Sequence, residues 1–140
     1  MYDDVLFPTD GETGAETGFE QAVEAAGTFG ARLHVLYVAD TTSPPTFVTV
    51  SRVVVDALER EGEAVVDEYA ERAADRGVDA VDAVVQGQPH DVIVEYAETN
   101  ADLVVMPTSG REGIAQYLLG STTERVVRTC AVPVLTLPAE

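Results

Sequence analysis

Short apolar runs alternate with amphipathic stretches along the whole of this chain, and that alternation restricts its fold more than any other feature. Asp4 to Pro8 is the first apolar run, ended by the turn signal Thr9, Asp10, Gly11. Ala15, Phe19, Ala22, Val23 and Ala26 then recur at helical spacing, and Gly30 closes that stretch. Arg32 to Val38 is a second strand. Ala39 to Phe47 holds Pro44 and Pro45 and reads as a loop. A long helix is expected from about Val50 to Asp75, with Val54, Leu58, Val65, Tyr69 and Ala73 on its buried face and Gly77 as its stop. Ala80 to Val85 is strand three. Pro89 suits a first helical turn, followed by the inner stripe Val92, Ile93, Tyr96 and Ala97. Asp102 to Met106 is strand four. A helix from near Thr123 leads to Val132 to Leu137, strand five.

Apolar strands in strict alternation with helices predict an α/β domain, a parallel sheet covered on both faces with right-handed crossovers. A single domain over residues 1–140 is the expectation, since no linker or repeat interrupts the pattern. In such sheets ligands bind beyond the carboxyl ends of the strands, where strand order reverses. With the reversal between strands one and four, Pro8 to Asp10 and Pro107 to Gly110 come together.

Composition narrows the function classes. Hydrophobic residues make up 46%, too many for a disordered chain. No apolar run approaches the ~18–20 residues of a membrane span, and the first residues lack a signal-peptide pattern. Cys130 is the single cysteine, so no internal disulfide forms, and a cytoplasmic location is expected. Twenty-five acids face eight bases, a formal net charge of −17, and every base is arginine. Self-repulsion of that size is relieved by salt. The expectation is a salt-rich cytoplasm, as in a halophilic archaeon, with nucleic acid and anionic membranes excluded as partners.

One segment breaks the acidic trend. Residues 107–131 hold Arg111, Arg125 and Arg128 against Glu112 and Glu124. Gly110 and Gly113 permit close backbone approach. Gly120, Ser121 and Thr122 precede a predicted helix, so N–H groups and hydroxyls converge where an anion binds. The same spacing also fits a capped helix with no ligand, Ser121 or Thr122 serving as N-cap. There is no Gly-Lys-Ser/Thr loop and no G-x-G-x-x-G after strand one.

The chain resembles universal stress proteins along nearly its whole length. The resemblance is carried by Val5 to Asp10, Leu33 to Val38, Gly87 to Pro89, Asp102 to Met106, and Gly110 through Gly120-Ser121 to Leu135. Nucleotide-binding members carry G-x-x-G, nine residues, then G-S/T. Here Gly110 and Gly120-Ser121 keep that spacing, while Pro107 stands in place of the first glycine. The resemblance implies a Rossmann-like sheet of order 3-2-1-4-5 and an adenine nucleotide, ATP or AMP, with magnesium accompanying ATP. It implies that Asp10 contacts ribose or base, and that Pro8 and Thr9 line its pocket. It places Val38 and Met106 at adenine, and Gly110, Gly120, Ser121 and Thr122 at the phosphates. Thr108, Ser109 and Arg111 could join them. It also implies a homodimer through strand five, Val132 to Leu137.

Each position has a plainer role beside it: Asp10 as a turn residue, Val38 as a strand end, Thr108 as a loop anchor, Arg111 as a solvated arginine. His34 and His90 lack a second ligand at metal spacing and read as structural. Cys130 reads as a small core residue. The acid-rich stretch Glu59 to Glu63 reads as a hydrated helix face. A stress-response nucleotide-binding module is therefore weighed against a nucleotide-free dimeric scaffold and, more weakly, a slow nucleotide hydrolase. Hydrolysis needs a positioned base or metal, and Asp10 alone is on offer.

Overall fold

The computed structural model describes residues 2–12, 15–41, 52–108 and 120–138. Their order is β1 (Asp4–Pro8), α1 (Ala15–Phe29), β2 (Arg32–Ala39), α2 (Arg52–Asp75), β3 (Ala80–Gln86), α3 (Pro89–Asn100), β4 (Leu103–Pro107), α4 (Ser121–Thr129) and β5 (Val134–Leu137). All strands are parallel, in the order β3-β2-β1-β4-β5.

Alternation along each strand divides the core in two. Val5 and Phe7 of β1, Leu33 and Val35 of β2, and Leu103 and Val105 of β4 face α1 and α2, where Phe19, Val66 and Tyr69 meet them. Leu6, Leu36, Val104 and Met106 face the other way, onto Ile93 and Ala97 of α3 and Val126 of α4. The central strands are mostly apolar because both of their faces are covered.

Polar contacts fix the layers. Arg72 of α2 grips the Glu16 carboxylate of α1 with two 2.8 Å hydrogen bonds, while its guanidinium lies 4.6 Å over the Phe19 ring. That bidentate grip holds the Glu16 carboxyl below its usual range. At the amino edge of the sheet, Asp102 Oδ2 accepts N–H bonds from Asp3 and Asp4 at 2.8 and 3.0 Å. Beside it, His34 is buried and bridges Asp4 Oδ1 at 2.8 Å to the Tyr96 hydroxyl at 2.7 Å. The structural role expected of His34 is the one it has.

Several boundaries differ from expectation. Val54 is exposed, and the buried face of α2 runs instead through Gly62, Val66, Tyr69 and Ala73, with Leu58 and Val65 half-buried. β4 begins at Leu103 and reaches Pro107. β5 begins at Val134, two residues later than expected, because its pairing with β4 starts at Val104 opposite Val134. Of the expected loop, Ala39 ends β2, and residues 42–47 lie outside the described residues.

Candidate functional site

The sheet opens where strand order reverses. β1 pairs with β2 over its full length, from Asp4 to Pro8, yet pairs with β4 only at Val5–Leu103 and Leu6–Val104. Beyond those residues no ladder joins the carboxyl ends of β1 and β4. A crevice at this point is what doubly wound sheets use for ligands.

One wall is the end of β1. The Thr9 N–H continues the ladder to the Leu36 carbonyl at 2.8 Å, and its hydroxyl accepts the Gly11 N–H at 3.0 Å. Asp10 Oδ1 accepts the Glu12 N–H at 2.8 Å, and Gly11 takes φ +77°. Asp10 is therefore a turn residue, exposed, with one carboxylate oxygen committed to the turn. Pro8 is buried at the strand end. Val38 and Met106 sit on the α3/α4 side of the sheet, Val38 half-buried and Met106 buried.

The opposite wall is built from β4 and α4. The Thr108 N–H donates to Leu137 at 2.8 Å, and its carbonyl accepts the Gly120 N–H at 2.9 Å. The chain thus leaves β4 and enters α4 at one point. α4 starts at Ser121 rather than near Thr123, and Gly120 occupies the N-cap with extended φ −67° and ψ 157°. Neither Ser121 nor Thr122 is the cap, and no side-chain hydrogen bond caps this helix. The Thr123 hydroxyl donates to the Pro107 carbonyl at 3.0 Å. Among the described residues no side chain caps the first-turn N–H groups of α4, the condition under which a helix start holds an anion. Gly110, Arg111 and Ser109 lie outside the described residues.

Pro107 fits here without disturbing the sheet. The Val104 N–H donates to the Pro133 carbonyl just before β5, and the Thr108 N–H to the Leu137 carbonyl of β5. By two-residue alternation the N–H that Pro107 lacks would point toward β1, where no pairing exists to lose. Its ring lies toward α1 against Gly18; a Cβ on Gly18 would stand 3.4 Å from Pro107 Cδ and 3.0 Å from Phe7 Cε1. Gly18 and Thr123 are site-shaping residues that sequence reasoning missed, because each acts on a partner far away in the chain.

Elsewhere, a cavity of about 350 Å³ lies among Arg52, Val55, Asp56, Glu59 and Gln86, and holds none of the residues above. Gln86 Nε2 spans it to Glu59 Oε2 at 2.7 Å. Its acids outnumber its single arginine, which ill suits a phosphate. Among the described residues no group of three or more His, Cys, Asp or Glu side chains is placed to hold a metal ion, and no helix is long and apolar enough to cross a membrane. Cys130 is half-buried at the end of α4, packed on the α3/α4 side of the core.

Comparison with known proteins agrees with this architecture. The model of the universal stress protein family matches residues 1–138. A universal stress protein of Methanocaldococcus jannaschii is 32% identical over 139 residues, covering 96% of this chain and 81% of that protein. The solved universal stress protein UspA of Lactobacillus plantarum superposes with a TM-score of 0.81 at 26% identity, covering 97% of both chains. A universal stress protein solved in complex with cAMP superposes with a TM-score of 0.76 at 30% identity, covering 99% of each chain. The chain belongs to the universal stress protein family.

Proposed function

We propose that this protein is a small cytoplasmic stress-response module that binds an adenine nucleotide, ATP or AMP, in the crevice between the carboxyl ends of β1 and β4. The observation that carries the reading is the uncapped start of α4 at the mouth of that crevice. The relative solved with cAMP supports the ligand class. In this reading Gly120, Ser121 and Thr122 hold phosphate together with Thr108, Gly110 and Arg111. Asp10 offers its remaining carboxylate oxygen to the ribose, Pro8 and Thr9 line the pocket, and adenine lies beside Val38 and Met106. Magnesium would arrive with ATP on its phosphates.

The test is thermal shift with ATP and AMP in molar KCl, together with identification of any small molecule that co-purifies. Ser121→Pro sharpens it. Proline at the first helical position removes an N–H and a hydroxyl yet suits the helix start. The variant should unfold within about 0.5 kcal/mol of the wild type and lose most of the nucleotide shift. A wild type that retains nothing and shifts with neither nucleotide overturns the reading.

A second reading, a nucleotide-independent dimeric scaffold, is favoured by one observation. β5 is an edge strand with Leu135 42% exposed, and Val127 of α4 is 43% exposed. Pairing of two copies through Val134–Leu137 would cover such an edge, and both readings include that homodimer. A monomer by light scattering in high salt removes it.

A further inference from the structure

Arg125 stands one turn into α4, and helical side chains lean toward the helix amino end. Its Nη1 reaches to 3.4 Å from His90 Nε2. His90 is the second residue of α3, a helix that starts just beyond the carboxyl end of β3. The guanidinium is thereby held at the same edge of the sheet as Thr9, Thr108 and Gly120. Four of the described arginines, Arg32, Arg72, Arg76 and Arg128, lie within 4 Å of a carboxylate. In a chain with twenty-five acids, Arg125 is set against an imidazole instead.

The chemistry at His90 Nε2 is a forced choice. A guanidinium only donates, so the contact with Arg125 requires a lone pair on Nε2. The same nitrogen lies 3.2 Å from Asp91 Oδ1, and a carboxylate only accepts. Without a proton Nε2 takes the bond from Arg125. With a proton Nε2 donates to Asp91 instead, and once Nδ1 carries a proton as well the imidazolium meets Arg125 as a like charge. These two, Arg125 from α4 and Asp91 from α3 itself, are the charged groups that meet the ring among the described residues. On α4, Glu124 and Arg128 are turned to one another. The strands beneath α3 carry Asp4, Arg32 and His34 at the opposite edge of the sheet, where they meet one another and Tyr96 near the far end of α3. Asp10 and Asp40 follow β1 and β2 at the near edge, and Asp10 is engaged in its turn.

We propose that Arg125 and His90 together read the length of the phosphate chain, His90 taking up a proton as the outer phosphates of a nucleoside triphosphate arrive beside Arg125. The proposal rests on the nucleotide-binding reading of the crevice. A monophosphate held by the first turn of α4 would leave the ring neutral, with its Nε2 lone pair toward Arg125. A triphosphate satisfies Arg125, and its negative charge favours the imidazolium, which Asp91 is placed to accept from. Linkage makes the effect reciprocal: protonation of His90 strengthens triphosphate binding by the same factor that bound triphosphate favours protonation.

The experiment is titration calorimetry with ATP and with AMP, without added divalent cation, at about pH 5.5 and about pH 8, either side of the imidazole range. A terminal phosphate itself gains a proton in this range, so His90→Gln is the reference. Between the high and the low pH, the ATP-to-AMP affinity ratio of the wild type should rise about fivefold more than that of His90→Gln. At intermediate pH, ATP binding should take up more protons in the wild type than in His90→Gln, read from heats in buffers of different ionisation enthalpy. Arg125→Gln should lose about tenfold in ATP affinity and leave AMP affinity nearly unchanged. If AMP binds and the ratio moves in parallel in the wild type and His90→Gln, the proposal is overturned while the nucleotide reading stands. If neither nucleotide binds the wild type, that reading falls and this one with it.

Discussion

The Thr123 hydroxyl donates to the Pro107 carbonyl at 3.0 Å, tying the third residue of α4 to the last residue of β4. Thr123 is buried, so water cannot replace the bond. Thr123→Val keeps the shape and leaves the carbonyl unpaired, which should cost about 1–3 kcal/mol in urea unfolding. Thr123→Ser, which keeps the donor, should recover most of that loss. Equal losses in the two variants would assign the effect to packing.

Gly62 permits α2 to lie on the Tyr37 ring. A Cβ there would stand 2.9 Å from Tyr37 Cε1 and closer still to Cδ1. The ring cannot step aside, because its hydroxyl donates to Glu61 Oε2 at 2.8 Å. Burial and that carboxylate push the Tyr37 phenol up to about 12. Gly62→Ala gains about 1 kcal/mol of helix propensity but should still lose about 1–3 kcal/mol net to overpacking. Gly77→Ala makes a useful contrast, since nothing lies within 4 Å and only φ +79° is strained. Its loss should be about 1 kcal/mol. Denaturant midpoints of the two variants would test both figures.

Asp82 of β3 should make the fold more stable as pH falls. Its carboxyl is held above the usual range by burial, and then by its hydrogen bond to Asp67 and the charge there. A folded-state value above the unfolded one means that the folded protein binds the proton more tightly. The cost is full above the folded value and disappears as pH falls below the unfolded carboxylate value of about 4. Asp82→Asn should therefore stabilise the protein at neutral pH, by less than about 1 kcal/mol for a solvent-exposed pair. The gain should vanish near pH 4. A gain of equal size at both pH values would rule out the ionisation argument.

Salt should stabilise this protein. A net charge of −17 on 140 residues repels itself most strongly in the folded state, where the charges lie closest. The thermal midpoint should rise steadily from low to molar KCl. An unchanged midpoint would mean that the acidic surface is neutral with respect to stability.

Much of the fold was legible because it depends on local periodicity. The apolar runs at Asp4–Pro8 and Arg32–Val38 and the stripe from Ala15 to Ala26 reflect burial within their own elements, and they emerged where expected. Val54 did not: it is exposed near the start of α2, which the spacing of a helical stripe cannot reveal. The start of α4 was misplaced for a related reason. Ser121 and Thr122 have the composition of caps, yet the cap is Gly120, fixed by its N–H bond to the Thr108 carbonyl, a tertiary partner. Pro107, read in the sequence as a departure from the glycine pattern, sits in the fold at no cost to a ladder. Its missing donor faces an unpaired gap, and the absence of a side chain at Gly18 makes room beside its ring.

The single bond from the Gly120 N–H to the Thr108 carbonyl has a consequence for how such a chain can diversify. Two residues that lie far apart in sequence are already clasped by the scaffold, so the intervening stretch does not have to supply its own closure. Closure entropy grows by only about 0.6 kcal/mol for each doubling of loop length. The clasp therefore acts as a socket: inserts of different size and chemistry can be exchanged at this edge while the sheet, both core layers and the register of β5 remain as they are.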